Sequence, residues 1–332
     1  MTRNPHVLLL ATILAGCGQA PAEEGYTGPA PKLPAPVPAS AVFTREQIGH
    51  ALAPPTTDMG KARPAPGGSP PDDGQWTMPS KNYASTRYST LTEINAGNVR
   101  HLATAFTFSL GVNKGQEAAP IVAGGTMYVV TAFPNIVYAL DLTKPGAPMK
   151  WKYMPRPAPA AQGVACCDVV NRGGSYDAGK YIFNTLDGQT IALDAPTGKP
   201  LWKVQLGNIN RGETMTMAPL VADGRVYVGN SGGEMGVRGW VVALDEQSGK
   251  LLWKAYNTGP DADVRIGAEF KPFYAADRGR DLGVRSWPAD AWKIGGGSMW
   301  GWFTYDPDLH QVIHGTGNPG PWNSEQRPGD NK

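Results

Sequence analysis

The chain repeats one pattern three times: VYALDLTKPGAPMKWKY at 137–153, IALDAPTGKPLWKVQLG at 191–207 and VVALDEQSGKLLWKAYNTG at 241–259. Each copy is an apolar strand that ends in Ala-Leu-Asp, then a turn containing Gly and Lys, then a strand that opens with Trp-Lys. The Trp residues stand at 151, 202 and 253, so successive copies are 51 residues apart in both intervals. An identical spacing is hard to obtain by chance, and the three stretches are therefore interpreted as copies of one structural unit.

The repeated unit predicts an all-β fold. Strands with a period of two residues precede two of the copies, TMYVVT at 126–131 and RVYVG at 225–229. A period near 50 residues with about four strands per unit is typical of a β-propeller blade. The Trp of each copy is expected to pack between neighbouring blades, and the Asp to cap the tight turn that follows it.

Two further stretches match the unit less closely. INAGNVRHLATAFTFSLG (94–111) is predicted to be a degenerate earlier copy, and WFTYDPDLHQVIHGTGN (302–318) the start of a later one. Residues 76–332 would then form a propeller domain of about five four-stranded repeats. Because a propeller closes to protect its edge strands and the last repeat is unfinished, we expect the chain to be the N-terminal part of a longer protein.

The composition excludes several classes of protein. Among 332 residues there are 42 Gly and 31 Pro, the charged fraction is 17%, and the net charge is +2. Such a weak charge excludes nucleic-acid binding driven by a dense basic surface. Abundant Gly and Pro exclude a long helical or coiled-coil protein. The hydrophobic fraction of 41% is enough for a substantial core.

The N-terminal segment has the features of an export signal. VLLLATILAG (7–16) is uncharged and too short to span a bilayer, which fits the apolar part of a signal peptide at 1–16. It runs into LAGC (14–17), which resembles the bacterial lipobox and implies lipidation of Cys17. Because Gly18 replaces the Asp of an inner-membrane retention signal, we expect a periplasmic protein held at the outer membrane by its lipid alone. The alternative is an ordinary secretory signal with a chance Cys.

Residues 17–75 are rich in Pro. A stretch such as PAPKLPAPVPAS (29–40) is expected to be extended, so the segment is predicted to be a linker between the anchor and the propeller.

The two remaining cysteines, Cys166 and Cys167, are adjacent. After export, such a pair forms an eight-membered disulfide ring, stays as free thiols or binds a metal. A metal site needs more thiolates or nearby His, and none is adjacent. The chain has five His and contains no HExxH, GxSxG, P-loop or CxxCH motif.

Several residues with ligand chemistry lie in loops. Glu117 is in GQEAAPIV, Glu234 in the Gly-rich NSGGEMGVRG, and Asn318 in GTGNPGPWN. Carboxylate and amide oxygens are hard ligands that suit Ca²⁺ or a similar cation. Trp300 and Trp302 lie in GGGSMWGW. Taken singly, each of these residues also fits an ordinary turn or core position.

Four stretches together resemble the methanol/ethanol dehydrogenases that depend on pyrroloquinoline quinone (PQQ). They are GVACCDVVNRG (163–173), GNSGGEMGVRG (229–239), GGGSMWGWFTYDPD (295–308) and GTGNPGPWNSEQRPGDNK (315–332). The resemblance covers 76–332 without a large gap. Its adjacent Cys pair separates the alcohol enzymes of this family from relatives that act on sugars.

This resemblance implies an eight-bladed propeller with PQQ in its central funnel. A disulfide ring of Cys166 and Cys167 would pack on one face of the cofactor, and Trp300 on the other. Glu234 and Asn318 take the ligand positions of a Ca²⁺ or lanthanide ion that acts as a Lewis acid on the quinone. The remaining positions implied to contact PQQ are Glu117, Arg172, Thr216, Ser231, Gly232, Gly233 and Ser298.

The implied reaction oxidises a small primary alcohol to an aldehyde, with electrons passing to a periplasmic c-type cytochrome. The catalytic Asp of the family lies beyond the GDNK segment, so the base is expected beyond Lys332, as is the residue that distinguishes Ca²⁺ from lanthanide enzymes. Asp306 and Asp330 are interpreted as turn residues. The chain is therefore expected to be an incomplete fragment of the dehydrogenase.

Three alternatives stay open at this point. A non-catalytic scaffold of the outer-membrane barrel-assembly type shares the lipobox and the propeller, but not the Cys pair, Glu234, Asn318 or the GGGSMWGW segment. A quinohaemoprotein would add a haem domain with CxxCH. A short pseudoenzyme would have lost its base, although the chain keeps every visible cofactor position.

Overall fold

The computed structural model describes residues 73–266, 279–288 and 290–326. The predictions for the signal peptide, for Cys17 and for most of the linker concern residues 1–72, which lie outside the described residues. Asp330, interpreted as a turn residue, and the catalytic base expected beyond Lys332 also lie outside them. Within the described part of the chain, no helix is long and apolar enough to cross a membrane.

Most of the described residues form small antiparallel sheets. Three sheets have four strands in simple meander order, and we call them blades 1, 2 and 3. A fourth sheet has two strands and is called the partial blade. Blade 1 contains β1 (Ile121–Ala123), β2 (Thr126–Val130), β3 (Val137–Asp141) and β4 (Met149–Tyr153). Blade 2 contains β5 (Gly174–Asp177), β6 (Lys180–Asn184), β7 (Gln189–Asp194) and β8 (Pro200–Gln205). Blade 3 contains β9 (Leu220–Ala222), β10 (Arg225–Gly229), β11 (Trp240–Asp245) and β12 (Leu251–Tyr256). The partial blade contains β13 (Phe303–Asp306) and β14 (Gln311–His314).

Helices are few and short in the described residues. Three α-helical turns occur, at α1 (Ala161–Val164), α2 (Asp261–Val264) and α3 (Leu282–Arg285). Single 3₁₀ turns occur at Val99–His101, Ile209–Arg211, Gly233–Met235, Ala291–Ile294 and Ser324–Gln326. The all-β prediction is therefore confirmed.

The repeat at 51-residue intervals appears as identical local structure in the three blades. The third strand of each blade shifts register between its Ala and its Leu, at Ala139/Leu140, Ala192/Leu193 and Ala243/Leu244. The Asp that follows then caps the turn. Asp141 accepts from Thr143 N at 3.1 Å, Asp194 from Thr197 N at 3.0 Å, and Asp245 from Ser248 N at 2.8 Å. The predicted turn role of the repeated Asp is confirmed.

The repeated Trp joins one blade to the next. The indole N–H of Trp151 in blade 1 donates to the carbonyl of Ala195 in blade 2 at 2.9 Å. Trp202 in blade 2 makes the same bond to Glu246 O, also at 2.9 Å. Each ring lies against a turn glycine of the next blade, so that a Cβ on Gly249 would meet the Trp202 ring at 2.7 Å. The interblade prediction is confirmed for these two residues.

The core lies between the faces of successive sheets. One apolar cluster fills the space between blades 1 and 2. Its largest buried members are Ile121, Tyr128, Tyr181, Phe183, Ile191 and Leu193. A second cluster joins blade 2, blade 3 and the partial blade, with Trp240 and Met299 fully buried in it. Burial of apolar side chains between the facing sheets is what stacks the blades side by side.

The expected count of about five four-stranded repeats is not met among the described residues. Three blades are complete and residues 302–318 supply two strands, but 94–111 contains only a 3₁₀ turn and no strand. Phe106, Phe108 and Leu110 still pack on the open face of blade 1, and Tyr138 Oη donates to Leu110 O at 2.9 Å. The alternating side chains therefore behave as in a strand, but no described strand offers this backbone a ladder partner.

Candidate functional site

One edge of the blades gathers the loops that carry the predicted site residues. The first strands of neighbouring blades contact each other, β1 with β5 and β5 with β9, so they are the innermost strands. In each blade the first two strands are antiparallel, and the start of the first therefore lies beside the end of the second. Residues before a first strand and after a second strand thus meet at one edge, which we call the loop edge.

A cavity of about 340 Å³ lies at the loop edge. Its lining comes from five segments of the chain, each before a first strand or after a second strand. The lining residues are Cys166, Cys167, Val170, Arg172, Thr214, Thr216, Ser231, Gly233, Glu234, Ser298, Trp300, Gly317, Asn318 and Trp322. The structure therefore brings together all the residues predicted for the cofactor and the metal, apart from Glu117 and Gly232.

Arg172 is the centre of a polar network on this wall. Its Nη1 atom donates to Thr216 Oγ1 at 2.9 Å and to the Trp300 carbonyl at 3.4 Å. Thr216 Oγ1 in turn lies 2.7 Å from Ser231 Oγ. The guanidinium carbon is 5.0 Å from the centre of the Trp300 ring, within cation–π range. Arg172 thus contacts Thr216 and Trp300 directly and is linked to Ser231 through Thr216, so four residues predicted to bind the cofactor form one network.

Glu117 contributes to the site through Arg172. It does not line the cavity, but its Oε2 atom lies 3.0 Å from Arg172 Nη2. Burial lowers the pKa of the Arg172 guanidinium, and the charge of Glu117 opposes that shift. The carboxylate therefore helps to keep a charged guanidinium beside the cavity.

The Cys pair occupies the loop between α1 and β5. Cys166 and Cys167 both line the cavity, and their Sγ atoms lie 2.19 Å apart. The loop is fixed by the next residue, Asp168, which accepts from the N–H of Val169 at 2.7 Å and of Gly115 at 3.3 Å. These backbone donors lower the pKa of the Asp168 carboxyl. The Cys loop is thereby tied to the segment that carries Glu117.

Glu234 and Asn318 come from equivalent loops of neighbouring sheets. Glu234 follows β10 of blade 3, and Asn318 follows β14 of the partial blade. Both line the cavity, and neither side chain hydrogen-bonds to a described residue. The described residues contain no cluster of three or more His, Cys, Asp or Glu that could hold a metal. The available protein ligands are thus one carboxylate and one amide oxygen, a hard-oxygen pair that fits Ca²⁺ or a lanthanide.

Glycines shape the loop that presents Glu234. Gly232 has φ of 101°, and a Cβ there would lie 2.1 Å from the Gly212 carbonyl oxygen. Gly232 does not line the cavity, and its Cα packs closely against the Gly212 carbonyl. Gly233 lines the cavity itself, where a Cβ would come within 2.9 Å of Ser298 Oγ. These contacts leave no room for a larger residue at either position.

Trp300 presents a partly open ring to the cavity. The residue is 46% exposed, although its carbonyl and ring both contact Arg172. Gly317 lies against its indole nitrogen, where a Cβ would be at 2.9 Å. Gly317 and Arg172 thus fix the position of the ring, and its exposed part is available to a planar ligand.

Sequence reasoning missed four lining residues: Val170, Thr214, Gly317 and Trp322. Gly317 and Trp322 stand in the GTGNPGPWN segment, from which only Asn318 was assigned to the site. Thr214 and Thr216 alternate with buried Met215 and Met217 in TMTM, a pattern that could have indicated two threonines on one side. Asp306 is a turn residue, as predicted, because it accepts from the N–H of Asp308 and of Leu309.

The cavity suits a flat, anionic, oxygen-rich ligand together with a hard cation. A guanidinium and four hydroxyl-bearing side chains line the cavity, and an indole ring and the Cys pair supply apolar walls. The pair Glu234 and Asn318 supplies oxygen ligands that no described protein group uses. The residues present therefore fit both a planar quinone carboxylate and a metal ion.

Comparison with known proteins agrees with this chemistry. The family model described as the PQQ glucose/ethanol/alcohol dehydrogenase β-propeller domain matches residues 76–332. A lanthanide-dependent methanol dehydrogenase of Methylacidiphilum fumariolicum (strain SolV) is 52% identical over 262 residues, covering 79% of this chain and 43% of that protein. Methanol dehydrogenase [cytochrome c] subunit 1 of Methylorubrum extorquens is 48% identical over 269 residues, covering 78% of this chain and 42% of that protein.

A solved structure gives the same relationship. A europium-containing methanol dehydrogenase superposes with a TM-score of 0.75 at 51% sequence identity. The match covers 78% of this chain and 45% of that one. The chain therefore spans less than half the length of the relatives it matches.

Proposed function

The chain belongs to the PQQ-dependent alcohol dehydrogenase β-propeller family, and we propose that its cavity is the PQQ and metal site of a dehydrogenase that oxidises a small primary alcohol to an aldehyde. The observation that carries the proposal is that one cavity at the loop edge collects the assigned residues. Ten of the twelve residues assigned to cofactor and metal from the sequence line it, although they come from distant parts of the chain.

Apolar residues would hold the flat faces of the cofactor, and charged and polar residues would bind its polar groups. Trp300 and a disulfide ring of Cys166 and Cys167 would form its two flat walls, since both line the cavity. Arg172 would pair with a cofactor carboxylate, because its planar donors suit that group. Glu117 would keep that guanidinium oriented, and the hydroxyls of Thr216 and Ser231 would complete the polar wall.

The metal would be held by Glu234 and Asn318, with Ca²⁺ or a lanthanide as the ion that suits these oxygens. When bound, PQQ supplies the acceptor for the hydride of the alcohol carbon, and the ion supplies Lewis-acid polarisation of the quinone carbonyl. The chain itself would orient both groups and exclude water from the apolar walls. We assign no catalytic base to the described residues, because the one carboxylate on the cavity wall is Glu234.

The proposals for export, location and electron acceptor rest on the sequence and on the name of a relative. We propose a signal peptide at 1–16, lipidation at Cys17 and a location in the periplasm at the outer membrane. A c-type cytochrome as electron acceptor is supported by the name of one relative, methanol dehydrogenase [cytochrome c] subunit 1. The weak net charge of +2 gives no support for nucleic acid as a partner.

Equilibrium dialysis of the metal-free chain against PQQ, with and without Ca²⁺ or La³⁺, tests the proposal. We expect saturable binding that is strengthened by metal, and Glu234→Ala to abolish the metal-dependent part. Glu93→Ala is the matched control, since Glu93 is exposed and lies outside the cavity. A chain that binds no PQQ under any condition would favour the non-catalytic scaffold. A Glu234→Ala chain with unchanged metal dependence would refute the ligand assignment.

A further inference from the structure

Four buried side-chain polar atoms have no hydrogen-bond partner among the described residues. They are Tyr181 Oη, Thr214 Oγ1, Trp240 Nε1 and Asp261 Oδ1. Of these four residues, Thr214 lines the loop-edge cavity and the other three do not. A buried hydroxyl without a partner costs free energy, so natural structures rarely keep one unless something else satisfies it.

The chain around Thr214 is firmly placed. Its carbonyl accepts from Ser231 N at 2.8 Å, which joins it to the loop that carries Glu234. The next residue, Met215, donates its N–H to Leu186 O at 3.3 Å and is fully buried. Thr214 itself is only 1% exposed. The backbone of Thr214 is thus fixed beside the cavity by hydrogen bonds, and its side chain is almost fully shielded from solvent.

The position of Thr214 relative to Thr216 indicates what the hydroxyl would meet. The two residues line the same cavity, while the intervening Met215 and the following Met217 belong to the blade 3 core. Their Cα atoms are at most about 7 Å apart. Thr216 already shares its oxygen with Arg172 and Ser231. Thr214 therefore extends the same polar wall by one further hydroxyl, and this one has no partner among the described residues.

We infer that Thr214 is a further cofactor-binding residue, whose hydroxyl donates a hydrogen bond to an oxygen acceptor of the planar quinone. The inference rests on the proposed function and adds a residue that the sequence pattern did not assign. Because Thr214 is buried and its backbone is fixed before the ligand arrives, little conformational entropy is lost on binding. A hydrogen bond from its hydroxyl therefore adds affinity at low entropic cost.

Three variants separate this role from simple packing. Thr214→Val keeps the shape and removes the hydroxyl, and we expect its PQQ dissociation constant to rise about tenfold to a hundredfold. Thr214→Ser keeps the hydroxyl and should bind PQQ nearly as the unaltered chain does. Thr190→Val is the matched control, because the buried Thr190 hydroxyl already donates to Asn184 Oδ1 at 2.8 Å and lies outside the cavity.

Thermal unfolding of the ligand-free variants gives a second readout. Here Thr214→Val, which should weaken PQQ binding, is expected to cause no loss of stability. Thr214→Val should leave the melting temperature unchanged or raise it, because it replaces an unsatisfied hydroxyl by a methyl group. Thr190→Val should lower the melting temperature and leave PQQ binding unchanged. A purely structural role for Thr214 would instead lower the melting temperature of Thr214→Val.

Several results would overturn the inference. One is PQQ binding by Thr214→Val equal to that of the unaltered chain. Another is equally weak binding by Thr214→Ser, which would point to the side-chain methyl instead of the hydroxyl. Loss of affinity for Ca²⁺ alone, with PQQ affinity kept, would place the hydroxyl on the hydration shell of the metal. If the unaltered chain binds no PQQ, the proposed function itself fails, which is a distinct outcome.

Discussion

Arg172 forms an ion pair with Glu117 across two neighbouring blades, with 3.0 Å between Nη2 and Oε2. Glu117 precedes the innermost strand of blade 1, and Arg172 precedes that of blade 2. The arginine side chain is only 13% exposed, and its other donors reach Thr216 and Trp300. One side chain therefore connects the polar wall of the cavity to its aromatic wall.

This arrangement predicts that Arg172→Lys weakens PQQ binding about tenfold or more. Lysine keeps the charge but has no planar fork, so it is unable to hold Glu117, Thr216 and a ligand carboxylate together. Equilibrium dialysis measures the effect, with the exposed Arg225→Lys as control. Equal affinities of Arg172→Lys and the unaltered chain would show that charge alone recruits the cofactor.

The interblade contact of the repeated Trp predicts a difference between two glycine substitutions. Gly249 and Gly224 have φ of 70° and 66°, so alanine strains the backbone at both positions by about 1 kcal/mol. A Cβ at Gly249 would also strike the Trp202 ring at 2.7 Å, whereas a Cβ at Gly224 would meet nothing within 4 Å. We expect Gly249→Ala to lower the free energy of unfolding by about 1–3 kcal/mol more than Gly224→Ala.

Urea denaturation of the two variants measures that difference. Equal losses of stability would mean that the Trp202 ring does not depend on close approach to the next blade. A larger loss in Gly224→Ala would contradict the assigned role of the repeat.

Tyr305 in the partial blade is predicted to titrate at an unusually high pH. The hydroxyl of Tyr305 donates to Asp223 Oδ2, which also lies 2.8 Å from His310 Nδ1. The hydrogen bond to this carboxylate raises the pKa of Tyr305 to about 12. Because the folded-state pKa lies above the ordinary value, this contribution to stability is complete below about pH 10 and is lost as pH rises toward 12.

Difference titration of tyrosinate absorbance, unaltered chain against Tyr305→Phe, isolates this one residue. We expect a midpoint about two pH units above that of an ordinary tyrosine. Asp223→Asn should bring the midpoint back toward 10, since the amide carries no charge. A midpoint near 10 in the unaltered chain would show that the contact with Asp223 does not persist in solution.

The proposed disulfide of Cys166 and Cys167 should matter more for the cofactor than for folding. A bond between adjacent residues closes a minimal loop, so it constrains the unfolded chain by only about 1 kcal/mol. We expect reduction to shift the melting temperature by a few degrees at most and to weaken PQQ binding, because a rigid wall becomes two mobile thiols. Thiol alkylation and mass measurement report the redox state directly.

Unfolding of the reduced chain at ordinary temperature would contradict this expectation. The double variant Cys166→Ser and Cys167→Ser serves as the control, since it removes the bond without adding a reductant to the cofactor.

The sequence predicted the blades because their signals are local. The Asp cap and the following turn lie within a few residues, so the 51-residue spacing of Trp151, Trp202 and Trp253 was enough to identify them. The segment 94–111 misled the prediction because its alternating apolar residues carry strand periodicity, whereas a strand also needs a partner for its backbone. Side-chain pattern alone contains no information about that partner.

The site was predicted only as far as the resemblance reached. It assigned Arg172, Glu234 and Asn318, and all three line the same cavity in the structure. It left out Thr214, whose significance depends on burial and on a missing hydrogen-bond partner, and neither can be read from residue type. Sequence also does not show that Glu117 contacts Arg172 without lining the cavity, because this depends on where the two segments lie in three dimensions.

The most direct test of the account is the position of a lanthanide ion and PQQ in crystals of the chain, located by anomalous scattering. We expect one strong peak at coordinating distance, about 2.5 Å, from oxygens of both Glu234 and Asn318, with planar density between Trp300 and the Cys pair. A peak away from these two side chains, or planar density outside the cavity, would contradict the central claim.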